Sequence, residues 1–434
     1  MSEQPKFGIM VDQNKSLPEG AREVHAIVSV EAAGAPVAAA PVGAAEVIII
    51  DTSGSMSYPD SKLRAAIAAA QTAVDTLRDG VLFAVVSGSN TASMVYPQTP
   101  RLVAADAGSR HAAKAALKGL KASGGTAIGS WLRLADELFD PYQDGIRHAI
   151  LLTDGKNQHE TPEQLDAALA RCSGRFVCDC RGVGTDWEVA ELRKVSSALL
   201  GSVDIVADPK DLVADFQAMT EAAMGKAVAD VALRVWTPQN ARLRFVKQVM
   251  PSVADLTARR AEAGPQAGDY PLGAWGAESR DYHICVEVPP QPVGKELRAA
   301  WVKLVVPGGP GEEAQVLATG NVLAHWTDDE AAATKINARV AHYTGQAELA
   351  DVIQQGLQAR KEGDLATATA RLGRAVQLAD EAGNDAITAA LRKVVDVEDA
   401  ATGTVRLKRN VDKADEMSLD TTSTKTVRTR KKEG

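Results

Sequence analysis

Between residues 46 and 226 the hydrophobic pattern switches repeatedly between two periods. Short apolar runs such as Val47-Ile48-Ile49-Ile50 have no polar partner face, and they predict strands buried on both sides. Between such runs, apolar positions recur every three to four residues, as at Leu63, Ile67, Val74 and Leu77, which is the helical spacing. Strands are expected at 46–51, 81–87, 147–153, 175–183 and 203–206, with a short edge strand near 93–96. Helices are expected at 60–78, 109–121, 127–139, 162–172, 187–200 and 209–224. This alternation predicts an α/β doubly wound, Rossmann-like sheet.

The flanking chain has another texture. Residues 1–20 are polar, with a Leu-Pro-Glu-Gly turn at 17–20, and Glu23 to Glu31 alternates as a strand does. Residues 32–45 have the Ala, Gly, Pro and Val composition of a linker. From 227 to 327 alternation returns at Val228–Trp236, Tyr282–Val288, Ala300–Val306 and Val316–His325, punctuated by Pro238, Pro251, Pro289, Pro290 and Pro307. That predicts an antiparallel β-sandwich, completed by the Glu23–Glu31 strand, with the α/β domain as an insertion. Residues 328–400 read as a C-terminal helical hairpin or bundle, with acids at its start (Asp328-Asp329-Glu330) and breaks at Gly363 and Gly383. Gln358 to Ala368 looks like the turn of a tetratricopeptide helix pair, but a single copy cannot make a solenoid. Residues 401–434 are polar and are expected to be a disordered tail. The expected domains are therefore 1–45, 46–226, 227–327, 328–400 and 401–434.

Composition narrows the function. The chain of 434 residues is 45% hydrophobic, enough for sizeable cores. A net charge of −8 argues against nucleic acid as a partner. Met1 to Leu17 has no apolar core of the kind an export signal needs. The most apolar stretch, Ala32 to Ile50, is interrupted by Pro36, Pro41 and Glu46, so no membrane span is expected. Four cysteines do not make a disulfide framework in a chain this long. Cys178 and Cys180 alternate on a strand and face one way, yet no nearby His or second Cys pair accompanies them, so buried free thiols are expected. The expected location is the cytoplasm.

Candidate chemistry lies just past the first strand. Asp51, Ser53 and Ser55 alternate along a loop at the strand's carboxyl end, where open α/β sheets place their ligands. Their oxygens suit a hard divalent cation. This Asp-x-Ser-x-Ser resembles the first segment of the metal-ion-dependent adhesion site (MIDAS) of von Willebrand factor A domains. Ala122-Ser123-Gly124-Gly125-Thr126-Ala127-Ile128 matches that family's Gly-Gly-Thr loop, with Thr126 at the hydroxyl ligand. Leu151-Leu152-Thr153-Asp154-Gly155 matches its Thr-Asp-Gly, with Asp154 as the second carboxylate. The resemblance implies a magnesium site (or manganese or calcium) at Asp51, Ser53, Ser55, Thr126 and Asp154, on a sheet with the Asp51 strand at its centre. It also implies a protein ligand that supplies an Asp or Glu to the metal. The expected function is a non-enzymatic interaction scaffold in bacterial cytoplasmic signalling.

Two alternatives accompany that expectation. A metal so placed could activate a water in a hydrolase. His159 is the nearest candidate base, though a lone His in a polar stretch is expected at the surface. The chain has neither a Gly-x-x-x-x-Gly-Lys-Ser/Thr phosphate loop nor a Gly-x-Ser-x-Gly elbow. Ser53 also replaces the second Asp of haloacid-dehalogenase-type phosphotransferases. The other alternative is a chelatase-type subunit working with a ring ATPase, but the acidic, proline-rich linker usual there is absent. In the tail, Thr421 and Thr422 follow Asp415, Glu416 and Asp420. That segment is similar to phospho-acceptor segments of actinobacterial signalling proteins, which implies a Ser/Thr kinase and a forkhead-associated domain as partners. Phosphate there would add about −1.5 to −2 charges. The basic end, Arg428 to Lys432, offers a rival role on nucleic acid or anionic membrane; the cluster is short and the chain acidic, which argues against it.

Overall fold

Ala44–Asp51 is the strand of the Val47–Ile50 run, and all eight of its residues are buried. The structure, a computed structural model, describes residues 5–34, 43–142, 145–309 and 312–428. They form two units.

One unit is built from the chain between the Ala44–Asp51 strand and the Leu212–Met224 helix. Its sheet runs in the order Val203–Val206, Val177–Val183, Ile146–Thr153, Ala44–Asp51, Leu82–Gly88, Ala92–Tyr96. The first five strands are parallel, and Ala92–Tyr96 closes the edge antiparallel. Ala44–Asp51 has Leu82–Gly88 on one side and Ile146–Thr153 on the other, so the strand order reverses at Asp51. In open α/β sheets that reversal opens a crevice beyond the strand ends. One sheet face contributes Ile48, Ile50, Val85, Ile150 and Leu152 to a core that also holds Phe216 and the Ala66, Ala69, Ala70 and Ala73 stripe of the Ser61–Thr76 helix. The i, i+3, i+4, i+7 spacing of those alanines presents one apolar face with little side-chain bulk.

A buried ionic chain crosses three neighbouring strands of this sheet. His148 Nδ1 lies 2.9 Å from Glu46, and its Nε2 lies 3.0 Å from Asp179. Asp179 in turn accepts from Ser202 N–H and hydroxyl, at 2.6 and 2.7 Å. Burial alone would strip the His148 proton, but the flanking carboxylates outweigh it and push the imidazole up to about 10. Cys172, Cys178 and Cys180 are free and buried.

The other unit contains two largely antiparallel sheets. One runs Lys6–Gln13, Glu23–Ala33, Ser279–Glu287, Arg242–Met250, Ala254–Asp255. The other runs Ala261–Glu262, Ala267–Trp275, Val228–Trp236, Glu296–Val306, Gln315–Trp326, Ser16–Leu17. The segment expected as a strand at 23–31 thus pairs with Ser279–Glu287, far along the chain. Besides the two-residue strands, three longer strands here had no counterpart in the sequence reading. Lys6–Gln13 lies in the stretch read only as polar; it is an edge strand whose residues stay exposed or half-buried, so its alternation is weak. Arg242–Met250 and Ala267–Trp275 also went unread, because Arg, Lys, Gln, Gly and Pro interrupt their apolar positions.

The helices beyond residue 328 differ from expectation at their start. Glu330–Ala333 is a single turn, and the first long helix is Ala338–Glu362, capped by the Asn337 side chain. It ends at Gly363 in the left-handed region (φ 83°), the conformation glycine adopts without a Cβ clash. Leu365–Ala382 and Asp385–Val394 follow, and Leu349, Ile353, Leu372, Val376, Ile387 and Leu391 form their shared core.

The expectation of a disordered tail from 401 is corrected. Thr404–Leu407 pairs with Val395–Asp399, and Lys413–Thr422 is a helix. Leu419 enters the helical core, with no exposed surface. A few apolar anchors in a polar segment suffice here because the neighbouring helices leave a groove for them to fill. Residues 429–434, which include most of the basic end, lie outside the described residues.

Candidate metal centre

The strand ends at Asp51, and the chain then turns through a short 3-10 helix, Gly54–Ser57, held down by the buried Met56. This turn places Ser53 and Ser55 side by side, their hydroxyl oxygens 2.9 Å apart. Two backbone bonds tie it to the Gly-Gly-Thr loop: Gly54 N–H donates to Gly124 O at 2.9 Å, and Ser123 N–H donates to Thr52 O at 2.7 Å. Gly124 stands at φ 81°, so the loop's turn needs a glycine. The sequence 153–155, at the end of the neighbouring strand, completes the cluster.

Asp51 and Asp154 are both fully buried. Asp51 accepts from Ser53 N–H at 2.7 Å and from the Thr153 hydroxyl at 2.5 Å. Burial pushes its carboxyl up to about 6, against the pull of those hydrogen bonds, and the Asp154 charge adds to the rise. The Ser55 hydroxyl donates to Asp154 Oδ1 at 2.6 Å. Thr126 joins them from the third loop. A Cβ added to Gly155 would lie 3.1 Å from Thr126 Oγ1, 3.3 Å from Ser55 Oγ and 3.9 Å from Ser53 Oγ. The three hydroxyls therefore surround a cradle that the missing Cβ leaves open. All five expected residues, Asp51, Ser53, Ser55, Thr126 and Asp154, come together at one place. An all-oxygen donor set with two carboxylates fits a hard divalent cation.

Several neighbours were not read from the sequence. Lys62 is the most consequential: its ammonium lies 2.7 Å from Asp154 Oδ2, with Asp186 at 3.4 Å, and its side chain is nearly buried. Burial works against its charge, but Asp154 more than compensates and raises the ammonium above the usual lysine range. Lys62 sits in the first turn of the Ser61–Thr76 helix, where the macrodipole disfavours a cation, and that misplacement was the available signal. The Ile128–Phe139 helix starts at Ala127, which has no capping side chain of its own. Its first N–H groups are met from the loop after Asp154: Ile128 N–H donates to Asn157 at 2.9 Å and Gly129 N–H to Glu160 at 2.5 Å. His159 lies beside the site, exposed. Its Nδ1 accepts from Thr126 N–H at 3.1 Å, and its backbone N–H donates to Thr126 O at 3.0 Å. It holds the Thr126 loop in place.

The chain is 52% identical to the von Willebrand factor type A protein of Catenulispora acidiphila, over 99% of this chain and 98% of that one, with a TM-score of 0.94. The chain belongs to the von Willebrand factor type A family. The family's type A domain matches residues 45–205, and its C-terminal domain matches residues 377–423. Von Willebrand A domains generally bind protein partners and commonly hold a divalent metal. An uncharacterized Synechocystis protein is 27% identical over 218 residues, 49% of this chain; the chain spans half the length of that relative. The ArnB paralog VWA2 of Sulfolobus acidocaldarius shares the fold at 15% identity, covering 97% of this chain and 98% of that one, with a TM-score of 0.63.

The expected phospho-acceptors are placed otherwise than the sequence suggested. Thr421 and Thr422 end the Lys413–Thr422 helix, inside the span matched by the C-terminal domain. Thr421 is buried and donates to Ser418 O at 3.2 Å, and the half-buried Thr422 also donates to Ser418 O. Neither lies in the extended, accessible chain that a kinase site requires. Among the described residues, no helix is long and apolar enough to cross a membrane.

Proposed function

We propose that this protein is a metal-dependent protein-binding scaffold. Asp51, Ser53, Ser55, Thr126 and Asp154 form an adhesion site for magnesium (or manganese or calcium), and an Asp or Glu of a partner completes the cation's shell. The observation that carries the reading is the gathering of three hydroxyls around the Gly155 cradle, between two buried carboxylates, at the point where strand order reverses. With only two formal negative charges in the set, a bound dication keeps the capacity to take a third carboxylate. The cation supplies charge and a coordination position; Thr153 orients Asp51, and His159 and Asn90 fix the Gly-Gly-Thr backbone.

The exposed rim fits a partner surface. Tyr58, three residues past Ser55, is 85% exposed. An exposed aromatic beside a charged centre is the composition of an interaction hot spot. The reading is non-enzymatic, since His159, the candidate base, is committed to the Thr126 loop. Four free, buried thiols accord with the reducing cytoplasm. The two sheets of the second unit are read as a β-sandwich, with the helices beyond it as a supporting domain.

The test has two stages. Thermal melting with magnesium and with chelator should separate the wild type, whose folded state alone binds the ion, from Asp51→Ala, which should show no separation. Capture of partners from host lysate should then require both magnesium and Asp51. Melting curves that ignore magnesium, or capture unchanged in Asp51→Ala, would overturn the reading.

A further inference from the structure

A second cluster of ligating side chains stands on the first antiparallel sheet of the other unit, apart from the Asp51 centre. Glu23 and His25 lie two residues apart on the Glu23–Ala33 strand, and Cys285 is directly opposite His25 on Ser279–Glu287. Residues two apart on a strand share a face, and so do directly opposed pairs, so all three side chains project together. His25 Nε2 lies 3.7 Å from Cys285 Sγ and 4.0 Å from the Glu23 carboxylate, and the three ligand atoms all fall within 4.8 Å of one another. A tetrahedral zinc ion with Zn–N near 2.0 Å and Zn–S near 2.3 Å holds such atoms roughly 3.3–3.7 Å apart. Small rotations of the half-exposed Glu23 and His25 side chains would close the difference.

We propose that Glu23, His25 and Cys285 form a zinc site, separate from the Asp51 centre. A thiol and an imidazole select a borderline-soft ion over magnesium. The fourth position faces solvent, because the His25 and Glu23 side chains are 39% and 54% exposed. On binding, the ion releases water, a sulfur–zinc bond forms, and the Cys285 proton passes to solvent.

The surroundings are those of an oriented ligand. His25 Nδ1 lies 3.1 Å from Nε2 of His283, a buried neighbour two residues before Cys285. With Nδ1–H donating there, the lone pair of Nε2 faces Cys285 and Glu23. Metal-bound histidines commonly use their second nitrogen in this way. His283 is itself fixed by Phe245, whose ring meets it edge-on at 4.9 Å. Cys285 is the one cysteine outside the α/β unit, which holds Cys172, Cys178 and Cys180.

The experiment uses the full chain in saturating magnesium, with cobalt(II) as the probe. The expected result is one equivalent bound, with thiolate-to-cobalt charge-transfer absorption that added zinc abolishes. Cys285→Ser should lose that absorption, and His283→Ala should weaken cobalt binding by about 10–100-fold. Asp51→Ala should leave the absorption unchanged, which separates this site from the adhesion site. Glu23→Gln, at a half-exposed position where substitution costs little stability, should weaken cobalt binding by at least about tenfold. Absence of the absorption in the wild type, its persistence in Cys285→Ser, or unchanged affinity in Glu23→Gln would each overturn the proposal.

Discussion

Lys62 Nζ lies 2.7 Å from Asp154 Oδ2, and the pair is buried. The ammonium supplies, from within the chain, part of the positive charge that a divalent cation would bring to Asp154. Lysine and metal therefore oppose each other at one carboxylate. Lys62→Met should lower stability in chelator by about 3 kcal/mol or more, because a buried carboxylate loses its partner. It should also tighten magnesium by at least about tenfold, since a like charge close to the ion is removed. Calorimetric titration and melting in chelator check both halves. Magnesium affinity that falls in this variant would show that Lys62 supports the site.

Gly155→Ala places a methyl group 3.1 Å from Thr126 Oγ1 and 3.3 Å from Ser55 Oγ. Crowding of this kind costs about 1–3 kcal/mol of stability. Its larger effect should be on the cation, because magnesium tolerates little departure from octahedral geometry; affinity should drop by about tenfold or more. Melting in chelator and in magnesium separates the two effects.

Tyr58→Ala should leave stability within about 0.5 kcal/mol, as for other exposed positions. Magnesium binding should also be unchanged, while capture of the partner weakens by about 1–2 kcal/mol if this ring is an anchor. Equal capture by both proteins places the partner elsewhere on the rim.

His148 gives the α/β unit a pH dependence whose sign is fixed. Its folded value of about 10 stands above the ordinary 6.5, so the native protein keeps a proton that the unfolded chain releases. The resulting stabilisation is complete below about pH 6.5 and is lost as pH rises through about 10. Urea unfolding across that range should show stability falling, and His148→Gln should flatten the fall. Identical slopes in the two proteins would exclude His148 as the source.

Thr421 should resist phosphorylation in the folded chain, since it is 1% exposed. Thr421→Glu should cost about 2–4 kcal/mol by burying a carboxylate without a partner. Mass spectrometry after treatment with a Ser/Thr kinase checks the first expectation, and denaturant titration checks the second.

The α/β unit was legible because its strands are buried on both faces and read as unbroken runs, as Val47–Ile50 does. The gathering of Asp51, Ser53, Ser55, Thr126 and Asp154 was legible because they sit in three short segments, each attached to a readable strand or helix. What was missed follows from the same logic. Lys6–Gln13 is an edge strand with little burial, so its pattern is faint. The Lys413–Thr422 helix is anchored by Met417, Leu419 and Thr421 within a polar sequence, so composition pointed away from order. Lys62, Asn157 and Glu160 act on the site from other elements, and no local spacing announces a contact made only in three dimensions.

The pairing of Glu23–Ala33 with Ser279–Glu287 sets an order of events during synthesis. The helices and strands of the α/β unit are complete once Met224 has left the ribosome, but the partner of the early strand is made only later. At elongation rates of about 5–20 residues per second, the roughly 250 residues between the paired strands take on the order of 10–50 s to appear. Through that interval one edge of Glu23–Ala33 has no permanent neighbour, and an open strand edge invites pairing with other chains. Lys6–Gln13 pairs along the opposite edge from the start, so a nascent hairpin waits for the sheet with half of its backbone already satisfied.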